Sequence, residues 1–218
     1  MRIVCVGYRD WALNIYDQLQ HEFPEYKFLM QLSKKDFSEI QIEQFKPDLI
    51  LFYGWSDMIT SKLIKSGKCL MLHPSPLPKY RGGSPIQNQI INGDIHSAVT
   101  IFLMDNGIDT GPIARQKYLS LEGTLQEIFQ RIEFIGFELT RDIFTHGLNA
   151  TDQNNEDATH CRRRSPEQSE ITKEELEKCS AEYLHNKIRM LADPYPNAFI
   201  RTADGKKLCL VAAKVTEL

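Results

Sequence analysis

Cys69-Leu70-Met71-Leu72-His73-Pro74-Ser75-Pro76-Leu77-Pro78-Lys79-Tyr80-Arg81-Gly82-Gly83 is the stretch from which the rest of the chain is read. Its first four residues are a short apolar run, the signature of a buried strand. Three prolines and two glycines follow and stiffen the exit from that strand, so His73 is carried into a loop of restricted shape. Further on, Met104-Asp105-Asn106-Gly107-Ile108-Asp109-Thr110-Gly111 reads as a turn with two carboxylates and two glycines. A histidine and an aspartate on rigid loops at strand ends supply what acylation of an amine requires. One is a base for the ammonium proton, the other an anion that orients and charges the imidazole.

Outward from this block, short apolar runs alternate with helical patterns. Strands are expected at Arg2–Tyr8, Lys27–Leu32, Leu49–Tyr53, Cys69–Leu72, Val99–Met104 and Ile113–Leu121. Helices are expected at Trp11–His21, Asp36–Phe45, Asp57–Lys65 (stopped by Ser66-Gly67), Ser84–Ile91 and Thr124–Phe144, with Ser84-Pro85 a good helix start. Such alternation predicts an α/β fold with a Rossmann-like, doubly wound, mostly parallel sheet, whose ligands bind beyond the carboxyl ends of its strands. His73 and Asp109 are both expected at such ends. Residues 1–150 would form this catalytic domain. Residues 151–218 read as an Asn/Asp-rich linker followed by a small annex: helices at Lys173–Lys178 and Glu182–Leu191, then a hairpin from Phe199 to Val215 turning at Asp204-Gly205.

Composition excludes several classes. The chain has 218 residues, 42% hydrophobic and 25% charged, with a net charge of −3. That is ordinary for a globular protein and unlike a nucleic-acid-binding domain, which is usually basic. No apolar stretch approaches a membrane span, and the run at Met1–Val6 is too short for a signal peptide. The five cysteines show no paired spacing, so a reduced cytoplasmic enzyme is expected. Only Gly7 follows the first strand, in Gly7-Tyr8-Arg9-Asp10, so no glycine-rich dinucleotide fingerprint is present. No His/Cys set has zinc spacing, and no metal is expected.

The His-Pro-Ser-x-Leu-Pro-x-Tyr-Arg-Gly block, the Ser84-Pro85-Ile86-Gln87 helix start and the Asp-x-Gly-x-Asp-Thr-Gly turn together resemble the folate-dependent formyltransferases. Arg163-Arg164-Ser165-Pro166 and Asp193-Pro194-Tyr195-Pro196-Asn197-Ala198-Phe199 are similar to the tails of the sugar-nucleotide N-formyltransferases and of the tRNA branch. The resemblance implies formyl transfer from 10-formyltetrahydrofolate to a primary amine, with His73 as base and Asp109 as its acidic partner. It places the folate pocket at Tyr53, Gly54, Trp55, Met58 and Ile59, with the Asp105–Asp109 loop closing over the pterin. Arg9, Trp11, Lys79, Tyr80 and Arg81 are the candidates for the acceptor, taken as a nucleotide-linked amino sugar such as a 4-amino-4,6-dideoxyhexose. An apolar face on the C-terminal hairpin is available for a homodimer.

One position departs from the family pattern. Two residues before the histidine the family has Asn, whose amide donates to the oxygen of the tetrahedral intermediate. Here that position is Met71, and a thioether cannot donate. Loss of one such donor typically costs roughly 10²–10³ in rate. Gln87, Asn88 and Gln89 offer replacement amides, Gln87 first and Asn88 second. Rival readings remain. Methionyl-tRNA as acceptor would need a full C-terminal barrel, and only 45 residues follow Lys173. A ribonucleotide acceptor fits the core but not the tail. A non-catalytic module binding folate or a nucleotide sugar would explain Met71 directly.

Overall fold

The computed structural model describes residues 1–66 and 68–217; the helix stop expected at Gly67 lies outside the described residues. Its strands are β1 (Arg2–Val6), β2 (Lys27–Gln31), β3 (Leu49–Tyr53), β4 (Cys69–His73), β5 (Arg81–Gly82), β6 (His96–Leu103), β7 (Ile113–Ser120), β8 (His160–Cys161), β9 (Ala198–Arg201) and β10 (Lys207–Leu210). Its helices are α1 (Asp10–Glu22), α2 (Glu39–Phe45), α3 (Ser61–Ile64), α4 (Pro85–Ile91), α5 (Leu125–His146), α6 (Lys173–Lys178) and α7 (Ala181–Arg189). Six strands form one sheet in the order β2-β1-β3-β4-β6-β7. The first four run parallel, whereas β6 is antiparallel to β4 and to β7. This is the expected Rossmann-like α/β architecture, with an antiparallel edge and a separate β9–β10 hairpin.

The sheet is covered on both faces, so its inner strands are apolar at every position rather than alternately. All five residues of β3 are buried. Ile3, Cys5, Leu49, Leu51, Tyr53, Leu70 and Leu72 point toward α1, α4, α5 and α7, while Val4, Val6, Ile50, Phe52, Cys69 and Met71 point toward α2 and α3. Helix α1 turns Ala12, Ile15, Tyr16 and Leu19 inward, and α5 opens on a Thr124/Glu127 capping box. Ile171, Ile188, Met190, Leu191 and Ala198 pack into the same core as the sheet. No helix among the described residues is long and apolar enough to cross a membrane.

Two expected helices are shorter than their sequence patterns. Ser38 caps α2 by accepting from Gln41 N, and Asp36 is instead held in a turn with Ser33. Thr60 caps α3, and residues 54–60 form a loop tied down by the Tyr8–Ser56 hydroxyl pair and by Lys34–Asp57 at 2.6 Å. The hairpin strand β10 ends at Leu210, short of Val215.

Candidate active site

His73 is the last residue of β4 and is 5% exposed. The loop after it is held by side chains on four of its own carbonyls. Gln89 Nε2 donates to Pro74 O, Thr100 Oγ1 to Ser75 O, Gln116 Nε2 to Leu77 O, and Ser75 Oγ to Lys79 O. A loop whose buried carbonyls are each satisfied has one shape. That shape brings Tyr80 O to 2.9 Å from His73 Nε2. A carbonyl can only accept, so in the neutral ring Nε2 carries the proton and Nδ1 the lone pair. Nδ1 faces Asp109 Oδ2 at 3.5 Å, and both side chains are about nine-tenths buried, at 7% and 10% exposure.

Asp109 reaches this place by an indirect path. Because β6 runs antiparallel to β4, its loop begins at the level of Cys69, where Met104 N donates to Cys69 O. The loop then climbs back along the face that carries Met71 and His73. The expectation that both residues end parallel strands therefore holds for His73 alone. Gly111 makes the return possible, since a Cβ there would lie 1.7 Å from Leu103 O. Asp105 organises the turn: its carboxylate accepts from Gly107 N and Thr110 Oγ1. Asp109 Oδ2 accepts from Gly82 N at 2.7 Å.

The remaining candidates divide. Trp55 is nearly buried beside Tyr8 and Phe37, on the Met71 face of the sheet, and its indole N–H has no partner among the described residues. Ile59 packs in the same cluster, and Met58 is 89% exposed. Gly54, at φ = +64°, lies against the Arg9 side chain, where a Cβ would come within 2.8 Å. Tyr53 does not belong to a pocket. It is fully buried on the opposite face, stacked on Tyr16 and hydrogen-bonded to Thr140, because position 53 alternates with Phe52 along β3. Trp11 likewise packs against that core.

Arg81 also departs from expectation. Its guanidinium is buried and turned inward, donating to Gln153 Oε1 and Asn155 Oδ1 rather than facing an anionic ligand. Lys79 is exposed. Tyr80 donates its hydroxyl to Asp94, and burial together with that carboxylate pushes the phenol up. Asn88 is unsuited to an oxyanion, since its amide N–H groups already serve Gly83 O, Ser84 O and Arg162 O. Gln89 is similarly engaged with Pro74 O and Pro85 O. Gln87 is 3% exposed and its Nε2 has no partner among the described residues.

The stretch after residue 150, read as an Asn/Asp-rich linker, is part of this structure. Thr151 bridges Ile113, and β8 pairs in parallel with β5. Cys161 Sγ sits 3.2 Å from Gly83 O and 3.5 Å from Tyr80 O. Burial pushes the Cys161 thiol up, the nearby Asp109 charge adds to this, and the thiol stays protonated at neutral pH. An open depression of about 410 Å³ lies here, lined by Tyr80, Asn88, Asn92, Thr159, His160, Cys161 and Arg162.

Residues 18–139 match the family model described as formyl transferase, which covers more than half of the chain. The protein belongs to the formyltransferase family. Residues 166–216 match a second model, described as the methionyl-tRNA formyltransferase C-terminal domain. The methionyl-tRNA formyltransferase of Lactobacillus gasseri is 32% identical over 204 residues, covering 90% of this chain and 62% of that protein. That of Campylobacter curvus is 30% identical over 187 residues, covering 84% and 60%. The chain thus spans about three fifths of the length of these curated relatives. Among solved structures, a methionyl-tRNA formyltransferase from Clostridium thermocellum superposes with a TM-score of 0.86 at 30% identity, covering 96% of both chains. A 4-N formyltransferase from Francisella tularensis shares the fold, with a TM-score of 0.78 at 19% identity, covering 100% of this chain and 98% of that one.

Proposed function

We propose that this protein moves the formyl group of 10-formyltetrahydrofolate to the primary amine of a nucleotide-linked amino sugar. The observation that carries the reading is the His73 ring itself. Its Nε2–H is held by Tyr80 O, which leaves the lone pair on Nδ1, 3.5 Å from Asp109 Oδ2. Nδ1 takes a proton from the amine as its nitrogen bonds to the formyl carbon. The imidazolium so formed is stabilised by the Asp109 carboxylate, as a buried carboxylate does beside histidine elsewhere. The same proton then goes to the departing folate nitrogen as its bond to the formyl carbon breaks. Tyr80 O, rather than Asp109, selects the tautomer.

The residues present fit a folate-type donor. Trp55 offers a buried, unpartnered N–H on the same sheet face as His73, and Met58 and Ile108 are exposed apolar side chains on the two loops that flank that face. With a thioether at position 71, Gln87 is the amide left to donate to the developing oxyanion.

A nucleotide diphosphate is favoured as the acceptor's handle by the distribution of charge. Lys79, Arg162 and Arg163 are exposed around one loop of a chain whose net charge is −3, a small cationic group rather than a basic face. A second reading, methionyl-tRNA as acceptor, is favoured by the names of the relatives at 30–32% identity and by the C-terminal family match. Purified protein should be incubated with 10-formyltetrahydrofolate and either a panel of amino-sugar nucleotides or charged initiator tRNA, with products read by mass spectrometry. Formylated sugar nucleotide is the expected product. Formylation of methionyl-tRNA alone would establish the second reading, and no product with any amine would remove both.

A further inference from the structure

Asp109 stands at φ = +56°, in the left-handed region that residues with a side chain rarely adopt. Its own turn does not account for this, because the internal bonds of the turn run from Asp105 to Gly107 and Thr110. The peptide on either side of Thr110 is gripped from a distant part of the chain. Gln153 Nε2 donates to Asp109 O at 3.0 Å and to Gly111 O at 2.7 Å. The Gln153 oxygen in turn accepts from Arg81 Nε at 3.1 Å and Nη2 at 2.7 Å. A guanidinium only donates, so Arg81 fixes which end of the amide faces Asp109. The next residue along, Gly82, donates its N–H to the Asp109 carboxylate. Backbone and side chain of Asp109 are therefore fixed through adjacent residues of β5, one of them acting by way of Gln153.

We infer that Gln153, oriented by Arg81, is a positioning residue that sets the Asp109 carboxylate against His73. This rests on the reading of His73 and Asp109 as the reacting pair. Gln153 touches neither the imidazole nor the reacting atoms and acts only through the conformation of Asp109. With its grip removed, Asp109 relaxes from the left-handed region and its carboxylate leaves Nδ1.

Two substitutions test this. Gln153→Leu removes donor and acceptor together. Gln153→Glu keeps a partner for Arg81 but sets acceptors against the carbonyls of Asp109 and Gly111, so it remains informative where the leucine variant fails to fold. Each should lower kcat by roughly 10- to 100-fold with both KM values within about twofold of wild type, the range expected for misplacement of a catalytic group. In an Asp109→Ala background, the Gln153 substitutions should have almost no further effect on kcat. Multiplicative losses in that double variant, or a rise in KM with kcat unchanged, would overturn the inference. A readout independent of turnover separates this from the functional reading: the ¹⁵N resonances of the His73 ring at fixed pH. They should move in Gln153→Glu in the same direction as in Asp109→Asn. A His73 ring that shifts in Asp109→Asn and stays at its wild-type position in Gln153→Glu would sink the positioning role whatever the wild-type enzyme formylates. Absence of formyl transfer by wild type would instead sink the functional reading.

Discussion

Asp109→Asn isolates the charge of the His73–Asp109 pair. The amide has the shape of the carboxylate and keeps an oxygen to accept from Gly82 N, so the turn and its bonds to Gln153 survive. What disappears is one negative charge 3.5 Å from Nδ1. For two unit charges at that distance, Coulomb attraction is about 1 kcal/mol in a water-like medium and about 5 kcal/mol at an effective dielectric near 20. Exposures of 7% and 10% put this pair toward the second figure. The imidazolium exists only after the amine proton has been taken, so the lost attraction falls on the transition state and not on substrate binding. At about 1.4 kcal/mol per tenfold, kcat should fall by roughly 10- to 10³-fold while both KM values stay near wild type. The assay is steady-state formyl transfer, following the absorbance change as the folate loses its formyl group, with melting temperature as the control for folding. Wild-type kcat in a folded Asp109→Asn protein would refute the role of the carboxylate. A rise in acceptor KM with unchanged kcat would move Asp109 from proton transfer to substrate binding.

Other expectations follow from the same structure. Gln87→Leu should lower kcat by about 10²-fold with little change in either KM, as expected for a donor used only in the transition state; full kcat would remove Gln87 from the oxyanion role. Asn88→Ala should instead lower the melting temperature, because three carbonyls lose their donor, and a kcat loss without a stability loss would contradict that assignment. Lys79→Ala and Arg162→Ala should each raise the acceptor KM, by up to about tenfold since both cations are exposed, leaving the folate KM unchanged; equal effects on both substrates would place the diphosphate elsewhere. Glu175 is pulled upward by burial but held below its ordinary value of 4.5 by the Lys187 and Thr172 bonds, which prevail. A lowered carboxylate contributes stability above that ordinary value and loses it as pH falls through the folded one. Lys187→Met should therefore cost about 1–3 kcal/mol at neutral pH and less in acid, checked by chemical denaturation at both.

Most of the fold was legible because the signals were local and redundant. Val4, Cys5 and Val6, or Leu49 through Tyr53, are apolar at every position only because helices cover both faces of the sheet. Thr124 and Glu127 announce the start of α5 by a reciprocal pair of hydrogen bonds three residues apart. Where the reading overshot, distant partners had outweighed the helical pattern: Tyr8 on Ser56, Lys34 on Asp57 and Glu39 on Thr60 hold as a loop the residues expected to open α3. The antiparallel turn of β6 left no mark at all, since an apolar run has the same composition in either direction.

The site divides along the same line. His73, Asp109 and the loop between strand and helix are contiguous motifs and could be read directly. What holds them is not contiguous. Gln153 is 44 positions from Asp109 and lies in an Asn/Asp-rich stretch whose composition is that of a linker, while Arg81 is a buried cation that its motif presents as a ligand for anions. Met71 belongs with these. On a strand its side chain shares a face with His73, where an amide could donate to the reaction, yet it packs instead against the apolar cluster of Phe52 and Trp55, which Met104 also borders. Met104 opens the loop that climbs back to deliver Asp109. A half-buried thioether at position 71 therefore extends the apolar cluster that borders that loop, and an amide in its place would set polar groups against apolar neighbours. Met71→Asn should accordingly lose stability even where it adds a donor: a lower melting temperature together with an equal or higher kcat is the combination that this packing requires.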